Sequence, residues 1–219
     1  SEKLISQLSV IIRSELVLFN KFLSQKGLPP RELEYGLCHG TRRGHEQEFF
    51  NKHTEAKVLG TEIADTAELF PNTIQWDFHD IKDEWKNRID FIYSNSLDHS
   101  YDPVHCLRQW FKCLKVGGIC ILAYQSKGDS VGEKMKKDPG IALVTNDPNR
   151  YDGFNASVEA YCKIINMAGN SDLIDGMPVV GLKYIINTQF MFAVQDSIWN
   201  HNTPGGQFWD HHFIIQKMS

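Results

Sequence analysis

The sequence predicts an α/β fold: a doubly wound, seven-stranded, mostly parallel sheet with helices on both faces and an antiparallel hairpin at its carboxyl end. Three observations predict it. Short runs rich in β-branched and aromatic residues alternate with helix-length stretches through most of the 219 residues, the pattern of successive βα units. The glycine-punctuated segment Cys38-His39-Gly40-Thr41-Arg42-Arg43-Gly44-His45-Glu46 precedes a helix-length stretch and then Lys57–Glu62, a run that closes on a carboxylate 22 residues after Gly40. The last two apolar runs, 183–194 and 211–217, have no helical pattern between them. They should pair antiparallel, because a parallel pair needs a long crossover.

Each element has its own signal. Residues 3–25 place Leu4, Ile5, Leu8, Ile11, Ile12, Leu16, Phe19 and Leu23 mostly at helical spacing, which predicts an amphipathic helix stopped by Gly27 and Pro29-Pro30. This helix, within residues 1–30, is read as a lid, a packing element or a dimer contact, and residues 31–219 as the main domain. Residues 33–38 are the first strand, and a helix runs from near Gly44 to about His53. Lys57–Glu62, 73–77 and 89–95 are the second, third and fourth strands. A helix over 103–114 follows, with Pro103 in the first turn, where a missing N–H costs least. Gly117-Gly118 breaks it, and 119–124, apolar on both faces, is the fifth strand, as expected of a central strand covered by helices. The polar, glycine-containing stretch 126–153 is a long excursion, a length that usually carries function. A last helix over 157–167 ends at Gly169, and the hairpin follows.

Bulk properties narrow the function. A net charge of −4 argues against nucleic acid as the main partner, since phosphate binding usually leaves a basic face. The most basic stretch, 127–137, also carries Asp129 and Glu133 and reads as solvated. The five cysteines include no C-x-x-C pair and fit reduced thiols in a cytoplasmic protein. No apolar run approaches the length of a membrane span.

The turn after the first strand and the acid ending the second are the parts of a nucleotide site. Glycines let the backbone approach a ligand, and the acid meets ribose hydroxyls. The spacing therefore points to an adenosine-bearing cofactor.

Four stretches, in order, resemble the motifs of a subset of class I, Rossmann-like S-adenosylmethionine-dependent methyltransferases. They are Gly40-Thr41-Arg42-Arg43-Gly44-His45-Glu46, Asp77-Phe78-His79, Asn95-Ser96-Leu97-Asp98-His99 and Leu114-Lys115-Val116-Gly117-Gly118. The likeness runs from about residue 33 to the end, and the family's sheet closes with the same hairpin. The resemblance implies S-adenosyl-L-methionine as cofactor and S-adenosyl-L-homocysteine as product. It implies that Gly40, Thr41, Arg42 and Gly44 wrap the methionine part and that Glu62, with Ile63 beside it, accepts from both ribose hydroxyls. Asp77 would accept from the adenine amino group, and Phe78 would meet the base with its backbone N–H and ring. Ser94 and Asn95 would line the side of the transferred methyl. Two positions depart from the pattern. Cys38 stands where an acid is usual, and Arg42 where a glycine is usual. The Arg42 guanidinium suits the cofactor's carboxylate, or else turns outward.

The remaining candidates carry competing readings. His99 is the candidate catalytic residue, as a base or in acceptor orientation; otherwise it caps or orients the following helix, and Asp98 beside it orients the imidazole or caps that helix. His39 touches ligand or packs. His79 reads as structural, near the adenine edge, and Glu46 as stabilising a helix N-terminus. Cys38 lacks any nucleophile motif. His211 and His212 fall on opposite faces of a strand and so make no metal site. Trp199, Phe208 and Trp209 either wall an acceptor pocket or pack the hairpin. The expectation is a methyltransferase with a small-molecule acceptor, at oxygen, with a sugar or sugar nucleotide in view. The competitors are a non-catalytic cofactor-binding subunit and a nicotinamide-dependent oxidoreductase, although the latter's G-x-G-x-x-G turn is missing.

Overall fold

The computed structural model describes residues 2–124, 158–169, 183–185, 190–196 and 211–217. Its strands are β1 (Tyr35–His39), β2 (Lys57–Glu62), β3 (Thr73–Gln75), β4 (Ile89–Ser94), β5 (Leu114–Tyr124), β6 (Lys183–Ile185), β7 (Phe190–Asp196) and β8 (His211–Lys217). They form one sheet in the order β3-β2-β1-β4-β5-β8-β7-β6. The first five strands pair in parallel, and the last three add antiparallel pairings. The described helices are α1 (Glu2–Gln25), α2 (His45–Thr54), α3 (Pro103–Cys113) and α4 (Val158–Ala168).

Strand alternation splits the core into two layers. Leu37, Ile92, Cys120, Leu122, Phe213 and Ile215 face Cys106, Leu107, Trp110 and Phe111 of α3 and Ile164 and Ile165 of α4. Their strand neighbours Cys38, Phe91, Tyr93, Ile119, Ile121 and Ile214 face Leu4, Ile5, Leu8 and Ile12 of α1 and Phe50 of α2. Period two on the strands and 3.6 on the helices suffice to build both layers. The apolar stripe of α1 is thus a packing face for the sheet.

Two expectations need correction. Among the described residues the sheet has eight strands, not seven, because 183–194 is not one strand. Residues 190–196 take the register against β8, while 183–185 fold back onto them with Lys183 opposite Ala193 and Ile185 opposite Met191. The polar Asn187-Thr188-Gln189 interrupts the apolar run there. The second correction concerns Gly117-Gly118, which lie inside β5 rather than before it. Ile89 pairs with Leu114 and Phe91 with Ile119, so β5 carries three more residues than β4 over that interval, a bulge. Gly117 adopts φ +82, and a Cβ there would meet the Phe19 ring at 2.5 Å. The glycine admits α1, not a helix stop.

The base of the sheet is pinned by buried Asp90. Its carboxylate accepts from the main-chain N–H groups of Glu34 and Tyr35 at 2.8 and 2.9 Å and pairs with Arg31 at 2.6 Å. This fixes where β1 starts, and hence where its carboxyl end stands beside those of β2 and β4. The described cysteines 38, 106, 113 and 120 are free and buried. No helix among the described residues is long and apolar enough to cross a membrane.

Candidate functional site

The strand order reverses between β1 and β4, which are neighbours joined through other strands. A crevice at the carboxyl ends follows from that reversal. A cleft of about 280 Å³ lies at these ends, lined by Gly40, Arg42, Glu62, Ile63, Asp77, Phe78, His79, Ser96, His99 and Tyr101.

The turn after β1 is bound to β2. The N–H groups of Gly40 and Thr41 both donate to the Thr61 carbonyl, at 2.8 and 3.2 Å. Gly40 holds φ +70, and a Cβ on it would meet Ser96 Cβ at 2.5 Å. Arg42 sits at φ 50, in the left-handed region that disfavours side chains. Its N–H donates to Glu62 Oε2 at 2.8 Å, while Oε1 accepts from the N–H groups of Ile63 and Ala64 at 2.9 and 3.3 Å. Main-chain donors therefore aim the carboxylate, and Oε2 keeps acceptor capacity for a ligand.

The end of β3 is built differently. Asp77 Oδ1 accepts from the main-chain N–H of His79 at 2.9 Å and from its ring Nδ1 at 2.6 Å. Burial opposes ionisation of Asp77, but these bonds outweigh it and hold the carboxyl below the usual carboxylate range. Ring Nε2 meets Ser100 Oγ at 2.7 Å, and the Tyr101 ring stacks on the imidazole at 3.6 Å. The Phe78 carbonyl accepts from Trp110 Nε1 at 2.7 Å, and its ring meets Trp110 edge-on at 5.7 Å, so α3 fixes it.

His99 closes a short 3-10 turn, Leu97–His99. It is 41% exposed, with Nε2 3.9 Å from Asp98 Oδ1. The cap of α3 is Asp102, which accepts from His105 N–H at 2.9 Å. Capping of that helix therefore falls to neither Asp98 nor His99.

Seven of the sequence-derived candidates, Gly40, Arg42, Glu62, Ile63, Asp77, Phe78 and His99, line the cleft together. Thr41, Gly44, Ser94 and Asn95 do not. Thr41 is buried under the turn. Gly44, at φ 76, begins α2 and packs on Gln47 and Thr73. The Ser94 hydroxyl donates to the His39 carbonyl at 3.0 Å and accepts from Ser96 N–H at 3.1 Å. Asn95 donates to Glu46 at 3.2 Å. Sequence reasoning missed Ser96 and Tyr101. Ser96 lies inside a recognised motif, whereas nothing in the spacing marked Tyr101.

His39 packs. It is buried, stacks on Trp110 at 4.5 Å and meets Thr61 Oγ1 at 2.8 Å. Burial pulls its pKa down to about 3, so it stays neutral. Cys38 is buried in the layer under α1, which pushes its thiol well up and leaves it inert. Residues 126–153, Trp199, Phe208, Trp209 and the side chain of His211 lie outside the described residues.

No protein-family model matches the chain, and no curated protein sequence matches it. Solved structures do. The chain is similar over 96% of its length to an S-adenosylmethionine-dependent methyltransferase from Thermotoga maritima, covering 92% of that chain at 14% identity and a TM-score of 0.52. It is similar over 93% of its length to the CurJ carbon methyltransferase, at 15% identity and TM-score 0.51, covering 54% of that chain. It is also similar over 86% of its length to the CMeT domain of the citrinin polyketide synthase, at 10% identity and TM-score 0.51, covering 47% of that chain. The chain spans about half the length of these last two. The likeness shows the fold, which is that of class I S-adenosylmethionine-dependent methyltransferases.

Proposed function

We propose that the chain is an S-adenosylmethionine-dependent methyltransferase acting on a small-molecule acceptor, at oxygen, with a sugar or sugar nucleotide as the acceptor class. One observation carries the reading: the Gly40 turn, the Glu62 carboxylate and the Asp77 carboxylate, from the ends of β1, β2 and β3, converge on one cleft. Their chemistry fits an adenosyl ligand. Two acceptor-only carboxylates suit ribose hydroxyls and an exocyclic amine, and the glycine lets the backbone come within reach. Glu62 holds the ribose, Asp77 the base amine, and Phe78 and exposed Ile63 flank the base. The Arg42 side chain, also on the cleft, suits the amino-acid carboxylate.

When bound, the sulfonium cofactor supplies an electrophilic methyl group. The chain's own part is to hold an acceptor in line and to take up its proton. His99, on the cleft wall, is suited to accept that proton or to orient the hydroxyl. The polar composition of residues 126–153 supports a polar acceptor.

The test is transfer of tritiated methyl from S-adenosylmethionine to sugars, sugar nucleotides, amines and carbon acids. Labelled sugar products support the proposal, and label on another class corrects the acceptor. The competing reading, a binding-only subunit, is favoured by buried Cys38, which leaves no acid two residues before Gly40. Cofactor binding without transfer to any acceptor would support it.

A further inference from the structure

We propose that His79 is the positioning residue for base recognition. It locks Asp77 so that the carboxylate's remaining acceptor lone pairs take an exocyclic amino group and reject a carbonyl in its place. The inference rests on reading the cleft as an adenosyl site.

The lock is visible in the geometry. Asp77 Oδ1 accepts two bonds from one residue, the main-chain N–H of His79 at 2.9 Å and ring Nδ1 at 2.6 Å. The ring is itself fixed, being 5% exposed, stacked on Tyr101 at 3.6 Å and held at Nε2 by Ser100 Oγ at 2.7 Å. Ser100 Oγ in turn accepts the N–H of Asp102 at 3.2 Å. Against the Asp77 carboxylate, which only accepts, ring Nδ1 carries the proton, and Ser100 Oγ holds the far side of the ring at Nε2.

Two consequences follow for Asp77. Turning its carboxylate would break both bonds to Oδ1, so the group is held still. The Tyr101 hydroxyl also donates to this carboxylate, which lines the cleft and keeps acceptor lone pairs for a ligand. An ionised carboxylate can only accept, so it attracts an amine and repels a carbonyl oxygen. Asp, His and Ser also form nucleophilic triads elsewhere. Here Ser100 is buried and does not line the cleft, so its hydroxyl serves the ring.

The test compares calorimetric binding of S-adenosylhomocysteine with that of S-inosylhomocysteine, which carries a 6-oxo group instead of the 6-amino group. The wild type should prefer the amino ligand by about 10- to 100-fold, the range that a mismatched buried polar contact gives. His79→Ala should cut that preference to within about threefold, as should the loss of any fixed acceptor. His79→Asn, whose amide nitrogen reaches the Nδ1 position, should keep most of it. Where His79→Ala does not fold by circular dichroism, Ser100→Ala carries the test and should lower the preference by at least about threefold. Undiminished preference in folded His79→Ala, or in Ser100→Ala in its place, overturns the proposal. Loss of preference in His79→Asn as well assigns the effect to packing and overturns it too. Failure of the underlying reading looks different: the wild type binds neither ligand.

Discussion

The main-chain N–H of Arg42 donates to Glu62 Oε2 at 2.8 Å, joining the turn after β1 to the last residue of β2. Arg42 holds φ 50, a conformation that costs a side-chain-bearing residue of order 1 kcal/mol or more. A charge-assisted bond offsets such a cost. The same carboxylate therefore stabilises the turn and presents an acceptor to the cleft.

Glu62→Ala should weaken S-adenosylhomocysteine binding by about 1–3 kcal/mol, the cost of charge-assisted bonds left unmade. Glu62→Gln should recover less than half of that, because its amide offers one acceptor oxygen instead of two. Isothermal titration gives both values. Unchanged affinity in Glu62→Ala would take this residue out of the site.

Gly40→Ala should lower stability by about 1–3 kcal/mol, because the position needs positive φ and the new methyl meets Ser96. Adding Ser96→Gly should restore part of the loss, since it removes the clash but not the backbone strain. Urea melts of the single and double variants separate the two contributions. No recovery in the double variant would mean that the clash is absent.

How much of this was legible varies with how local each signal is. Lys57–Glu62 came out to the residue, since its apolar run ends on an acid whose place in the turn is set by nearest neighbours. The amphipathic span of α1 was equally plain. The 190–196 strand was hidden in a longer run because its limits are set by the partner β8. Gly117-Gly118 looked like a helix stop, and only the tertiary approach of Phe19 reveals the bulge. At the site, the acids and glycines were legible through spacing. Tyr101 was not, because its stacking on His79 depends on how the segment after β4 folds over the end of β3.

Stability should fall with pH through one buried group. Free His39 takes a proton near pH 6.5, but burial in the fold delays this until about pH 3. Between those values the unfolded chain binds the extra proton, so stability from this group is full above pH 6.5 and is lost as pH drops towards 3. The contribution approaches about 1.4 kcal/mol per pH unit for one proton. Denaturant melts from pH 7.5 to about 4.5 should show a shallower slope in His39→Gln than in the wild type. Parallel slopes would contradict the buried, neutral imidazole.

His99→Ala should lower methyl transfer by about 100-fold, within the range for a positioned acid–base group. Its affinity for S-adenosylhomocysteine should change by less than about 0.5 kcal/mol, as for a substitution away from the contacts. The comparison uses the acceptor found by tritium transfer. Equal turnover in the two proteins would remove His99 from the chemistry.

The most direct test of the central claim, an adenosyl ligand across the carboxyl ends of β1, β2 and β3, is calorimetry of the unmodified chain with S-adenosylhomocysteine and, separately, with NAD. Saturable heat with S-adenosylhomocysteine and none with NAD is the result expected. Saturable binding of NAD, with no heat from S-adenosylhomocysteine, would contradict it.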